Sequence, residues 1–219
     1  MGTRVGRLPP TAGNIKQFRV NRPGMEEAIW QPLYDYQTYA LAGTTTEYSF
    51  FQRAQGGAGV TYADTNMDTG GSLPFPKKML VTTITVVVFP GTPVNTVEAA
   101  AAGVGLNWDD VYTIGKAGWL EFFVGSKQYL IDAPMMKFPP RFRLAGAAAI
   151  GAVTTTASAT PWGNLDYATF AGEAYDITPI YLEPNQNFRV SLHFPTTTAI
   201  NADAKIGVIL DGWQMRLSQ

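Results

Sequence analysis

The sequence has no cysteine, one histidine and little charge. Without cysteine there is neither a disulfide framework nor a thiolate metal site, and the compartment stays undecided. The lone imidazole, His193, removes most zinc chemistry and most acid–base pairs at once. Asp, Glu, Lys and Arg make up 15% of 219 residues, against roughly 25% in an ordinary soluble domain. Hydrophobic residues reach 46%. A surface this poor in charge suits permanent protein–protein contact, because obligate interfaces resemble a core cut in half and are depleted in Lys, Glu and Asp. No apolar run approaches the ~18 residues of a bilayer span, and the N-terminus lacks the apolar stretch of a secretion signal. The chain is therefore expected to be soluble before it assembles.

The charge that is present is unevenly placed. A net charge of −1 argues against nucleic-acid binding by the whole molecule. Yet Arg4, Arg7, Lys16, Arg19 and Arg22 all precede the first acid, Glu26. Pro9, Pro10, Pro23 and scattered Gly break any periodicity there, so residues 1–25 read as an extended basic arm that needs a partner to become ordered. Residues 26–219 read as one β-domain, a normal size for a sandwich or barrel.

From Thr45 onward short β-rich runs alternate with Gly, Pro, Asn and Asp clusters, and no internal repeat is present. Residues 79–89 are almost all β-branched, and Pro90-Gly91 stops them, which predicts a central strand covered on both faces. Residues 119–131 predict a hairpin about Gly125-Ser126. Its simplest register pairs Val124 with Lys127, Phe122 with Tyr129 and Leu120 with Ile131, placing Leu120, Phe122, Tyr129 and Ile131 on one core face. Within 180–194, broken at Pro184-Asn185, Phe188, Val190, Leu192 and Phe194 alternate with Arg189, Ser191 and His193, so one face is buried and one wet. In 205–217 the apolar parity changes from Ile206, Val208 and Leu210 to Trp213, Met215 and Leu217, which predicts a bulge at Asp211-Gly212. Helix is scarce: two turns at 95–102 and a weaker candidate at 106–112. The Ala-, Gly- and Thr-rich stretch 144–160 reads as a long surface loop.

The order of these runs behind a basic arm resembles the jelly-roll major capsid proteins of tailless icosahedral, often membrane-containing, bacteriophages. The segments that carry the likeness are 64–76 leading into the strand at Met79; Phe123-Val124-Gly125-Ser126-Lys127 followed by Asp132-Ala133-Pro134 and Phe138-Pro139-Pro140; and Tyr181-Leu182-Glu183-Pro184 entering 188–195. The resemblance spans about two-thirds of the chain. It implies an all-β fold, a single eight-stranded jelly roll of two sheets with an N-terminal arm and long loops; a double roll would need about twice the strands. It also implies a non-enzymatic subunit that assembles with copies of itself and other capsid proteins, resident in the virion and soluble in host cytoplasm beforehand. The arm would then meet the viral genome, an internal lipid membrane or a neighbouring subunit. Competing expectations are a decoration or minor spike protein and a jelly-roll carbohydrate-binding module.

No cofactor is expected, and the chemical candidates are weak. Asp64, Asn66 and Asp68 offer alternate oxygens like the start of a calcium loop, but Thr69 stands where an EF-hand needs Gly and Phe75 where it needs Glu. A plain turn is the simpler reading. Asp109, Asp110, Asp132, Asp166, Asp176 and Glu183 could supply a glycosidase pair only if two converge. His193 has no nucleophile or orienting partner at a suggestive spacing. The aromatic cluster Trp30, Tyr34, Tyr36, Tyr39, Tyr48, Phe50 and Phe51 suits core or subunit contact. The glycines at 56, 57 and 59 lack the helix and Lys of a phosphate loop.

Overall fold

Eleven β-strands, one α-helix and a single-turn 3-10 segment make up the regular structure of the described residues. The computed structural model describes residues 26–91, 108–139, 143–148, 163–168, 175–200 and 202–217. In chain order the elements are β1 (Glu26–Trp30), β2 (Leu33–Tyr39), β3 (Glu47–Phe50), β4 (Lys78–Phe89), α1 (Trp108–Ala117), β5 (Trp119–Val124), β6 (Lys127–Pro134), β7 (Arg143–Ala148), β8 (Gly163–Ala168), β9 (Tyr175–Leu182), β10 (Phe188–His193) and β11 (Ala204–Leu217). The 3-10 turn, Met135–Lys137, follows β6.

One sheet runs β1-β11-β4-β9, with β2 also on β11; a second runs β3-β10-β5-β6. Every ladder in both is antiparallel. β2 pairs with Ala204 to Leu210 and β1 with Trp213 to Leu217, so the two share one side of β11. They are interrupted at Gln31-Pro32, where proline has no N–H to give a ladder. The two sheets contribute to one core, in which Met79, Val81, Ile84 and Val86 of β4 and Ile206, Val208 and Leu210 of β11 cluster with Leu120, Phe122 and Val124 of β5 and Phe188, Val190 and Leu192 of β10. Two antiparallel sheets around one apolar core form an all-β sandwich.

The run at 79–89 is the central strand expected, lying between β11 and β9. Both its faces are covered, since Val86 is 5% and Val87 1% exposed. The Asp211-Gly212 irregularity is present, but the extra residue belongs to β4. Asp211 faces Thr83 and Gly212 faces Val81, so Thr82 is skipped. β11 therefore keeps its parity, and Gln214 rather than Trp213 or Met215 lies buried beneath it. Gly212 is required for another reason: a Cβ there would meet the Leu80 carbonyl oxygen at 1.9 Å.

Four further expectations are corrected. Eleven strands stand where eight were expected, and two of them, β1 and β2, precede Thr45, where polar and aromatic residues hid the alternation. The 119–131 hairpin turns at Gly125-Ser126 with Val124 opposite Lys127, but then Phe122 faces Leu130 and Leu120 faces Ala133. These shifts leave Tyr129 40% and Ile131 66% exposed, while Leu130 and Ala133 pack on the core. Residues 143–148 form β7, paired with β8, instead of opening a long loop; Ala and Gly carry little β-propensity, so ladder hydrogen bonds made the strand without a sequence signal. Finally, β9 begins at Tyr175, five residues before the run foreseen at Ile180. The weaker helical candidate is α1, shifted to start at Trp108 and buried through Ile114. The candidate at 95–102 lies outside the described residues.

Candidate functional site

The segment between β3 and β4 is organised around a buried carboxylate. Asp35 on β2 is 0% exposed. Its Oδ2 accepts the Phe51 N–H at 2.7 Å, and its Oδ1 accepts an Arg53 guanidinium N–H at 2.7 Å. Arg53 donates a second time, to the Tyr36 carbonyl. Burial raises the Asp35 pKa, outweighing the opposite pull of Arg53 and the Phe51 N–H.

The three oxygens read as a possible calcium loop serve different partners. Asp64 Oδ2 accepts the Thr61 N–H at 3.1 Å and the Thr61 hydroxyl at 3.0 Å, closing a local turn, while Oδ1 accepts Lys205 Nζ at 3.0 Å. The backbone bond from Thr61 first, and Lys205 next, lower its pKa to about 2. Asn66 acts as a surrogate strand partner: its Oδ1 accepts the Tyr34 N–H at 3.0 Å and its Nδ2 donates to the Pro32 carbonyl at 2.8 Å. Such contacts satisfy a strand edge that would otherwise invite pairing. Asp68 is ion-paired with Lys77. Among the described residues no group of three or more His, Asp or Glu is placed to hold a metal ion. The loop is a latch along β2.

The other carboxylates are scattered. Asp109 and Asp110 lie on α1, Asp132 on β6, Asp166 on β8 and Asp176 on β9, with Glu183 just after β9. Asp110 is 2% exposed, whereas Asp132, Asp176 and Glu183 are exposed. β6 and β9 each end the order of their own sheet, and glycoside hydrolysis would require two of these acids to converge on one sugar ring.

His193 has partners that no sequence spacing revealed. Cross-strand pairs on the outer face of the second sheet set Arg189 opposite Phe123, Ser191 opposite Glu121 and His193 opposite Trp119. His193 Nε2 lies 3.0 Å from Glu121 Oε2, its ring stacks on Trp119 at 5.6 Å and 19°, and Glu47 faces it from β3. The Arg189 guanidinium sits 4.6 Å over the Phe123 ring. Alternation puts all these residues outward, but only the register of β10 on β5 selects the pairs. Ser191, expected to be wet, is 0% exposed, and its hydroxyl has no partner among the described residues. Lacking access, it is not placed as a nucleophile for an external substrate.

No protein-family model, curated protein or solved structure matches the chain. The chain's own geometry must therefore carry any reading. The basic arm candidates Arg4, Arg7, Lys16, Arg19 and Arg22 lie outside the described residues. The aromatic cluster divides: Tyr39, Tyr48, Phe50 and Phe51 are core, Tyr34 and Tyr36 are half-buried, and Trp30 is 45% exposed. A cleft of 220 Å³ beside Gln214 is lined by Leu33, Met67 and Leu73 with Lys77 and Arg216. It is smaller than the roughly 300–1,000 Å³ typical of small-molecule sites. No helix among the described residues is long and apolar enough to cross a membrane.

Proposed function

We propose that the chain is a viral structural protein, a jelly-roll capsid subunit that assembles with copies of itself into an icosahedral shell. The observation that carries this reading is the strand order. Taken with β1 and β2 as one interrupted edge strand, the first sheet holds four positions, β1/β2, β11, β4 and β9, and the second holds β3, β10, β5 and β6. The chain passes between sheets from β2 to β3, β3 to β4, β4 to β5, β6 to β9, β9 to β10 and β10 to β11. That alternation supports a roll of two Greek keys. The β7–β8 ribbon is then an excursion in the chain between β6 and β9.

The work of such a subunit is geometric. A rigid sandwich sets the angle between neighbours, and its scarcity of charge, 15% of residues, favours contacts that do not dissociate. The five cations of residues 1–25 would neutralise genome phosphate, an anionic bilayer or acids of an adjacent subunit. The test is expression of the full chain followed by electron microscopy. Closed shells of uniform diameter support the reading; a monodisperse 23.8 kDa species at micromolar concentration, with no particles, overturns it. Stoichiometry in the native particle separates the principal shell subunit from a decoration or minor spike protein.

A further inference from the structure

An apolar row crosses four strands on the outer face of the first sheet. Trp30 on β1 stands opposite Trp213 on β11, Trp213 opposite Leu80 on β4, and Leu80 opposite Tyr181 on β9. Residues directly opposite in antiparallel strands share a face. The core side belongs to their sequence neighbours Met79, Val81, Ile180 and Leu182, each 2% exposed or less. Thr82, the extra residue of β4, explains why Leu80 points outward: beyond it Ile84 and Val86 are the core residues, before it Met79 and Val81. Trp30 and Leu217 are each 45% exposed and Tyr181 37%, with Met215 half-buried between them.

We propose that this face is an isologous interface between two copies of the chain. The proposal rests on the assembly reading and names the surface that reading leaves open. Trp, Tyr and Met are the residue types enriched at interface centres, and Trp and Tyr supply most hot spots. Other occupants fit less well. The Trp30 and Trp213 rings meet edge to face, at 5.4 Å and 88°, so they do not form the flat platform on which a sugar ring stacks. An anionic membrane needs net positive charge, but here Lys78 is bonded to Glu26 at 3.0 Å and also feels Glu183. A second copy suits that border, because a two-fold contact must complement itself. With both signs on one margin, Lys78 of one copy can meet Glu26 or Glu183 of the other.

The absence of cysteine makes the test direct. Met215→Cys in the full chain should form an intermolecular disulfide under mild oxidation, whereas Ser126→Cys, on the distant hairpin turn, should not. Tyr181→Glu should weaken the soluble dimer about 30-fold by sedimentation equilibrium, the equivalent of roughly 2 kcal/mol for an interface hot spot. Unchanged near-ultraviolet circular dichroism would show that each variant still folds. Particles that form without cross-linking at residue 215, or with dimers untouched by Tyr181→Glu, overturn this interface while leaving the capsid reading intact. A wild-type chain that stays monomeric and makes no particles overturns both. Flotation with vesicles of phosphatidylcholine and phosphatidylglycerol, lost in Tyr181→Glu while no dimer forms, would identify the face as a lipid contact instead.

Discussion

The Asp35 carboxylate holds Phe51 in a left-handed conformation: Oδ2 accepts the Phe51 N–H at 2.7 Å, and Phe51 has a φ of 67° with its ring fully buried. A bulky residue at positive φ persists only when its surroundings impose it. Asp35→Ala removes the acceptor, strands the Phe51 N–H and leaves Arg53 with one fewer partner. The expected cost is about 2–4 kcal/mol, which lowers Tm by roughly 5–15 °C in a domain of this size. A melting shift below about 2 °C would show that the loop holds Phe51 by other means.

Two acids should give the stability opposite pH trends. Asp64 has its folded pKa lowered from 3.8 to about 2, first by the Thr61 backbone bond and then by Lys205. Its contribution is therefore whole above pH 3.8 and lost as the pH falls toward 2. Asp35 has its folded pKa raised by burial, so its contribution is greatest below pH 3.8 and declines as the pH rises through the folded value. The stability gap between wild type and Asp64→Asn should close between about pH 4 and pH 2. The gap for Asp35→Asn should instead widen on acidification. Denaturant titrations read by circular dichroism, from about pH 7 down to about pH 4 for Asp35 and on toward pH 2 for Asp64, decide both.

Two glycines separate steric need from conformational need. A Cβ on Gly212 would lie 1.9 Å from the Leu80 carbonyl oxygen, whereas Gly125, at φ 60°, has nothing within 4 Å of its missing Cβ. Gly125→Ala should cost about 1–2 kcal/mol, the price of a left-handed residue. Gly212→Ala must push apart the β11–β4 ladder at its bulge and should cost about 3 kcal/mol or more, the upper end of overpacking penalties. Equal urea midpoints for the two variants would contradict this account.

Among the described residues two buried hydroxyls have no hydrogen-bond partner, Ser191 Oγ and Thr85 Oγ1. A buried polar group without a partner costs about 1–3 kcal/mol. Ser191→Ala and Thr85→Val should each raise stability, by roughly 1 kcal/mol or 2–4 °C in Tm. A fall in Tm for Ser191→Ala, with the His193–Glu121 pair intact by NMR, would mean that the hydroxyl is satisfied in solution.

Residues 1–24 can be removed without touching any of the described ladder pairs, since β1 starts at Glu26 opposite Leu217. The truncated chain should keep the far-ultraviolet signature of its sheets and lose closed particles. If the arm meets duplex DNA, its five cations give full-length binding a log–log salt slope of up to about −4 that the truncation abolishes. Normal shells from the truncated chain would remove the arm from assembly.

How much was legible depended on whether a feature was local. The β-branched run at 79–89, the Gly125-Ser126 turn and the alternation of Phe188, Val190, Leu192 and Phe194 all appear where the sequence placed them. β7 was hidden because Ala and Gly do not advertise a strand, and β1 and β2 because their polar and aromatic residues obscure the period. The irregularity at Asp211-Gly212 was visible, but not its owner, since an extra residue in either strand breaks the same ladder.

By itself, then, the sequence determined the class: short alternating runs punctuated by Gly and Pro can bury their apolar sides only as stacked sheets, and 15% charge leaves the surface short of polar cover. Tertiary structure alone decided register and neighbours. It brought Glu121 to His193 across 72 positions of sequence, tied Asn66 to the edge of β2, and turned Leu80 outward to join Trp30, Trp213 and Tyr181 in one row. The reason is that a strand's side-chain period of two specifies which residues share a face, whereas its partner and offset come from burying both sheets together, and one extra residue such as Thr82 reverses the faces of all that follows.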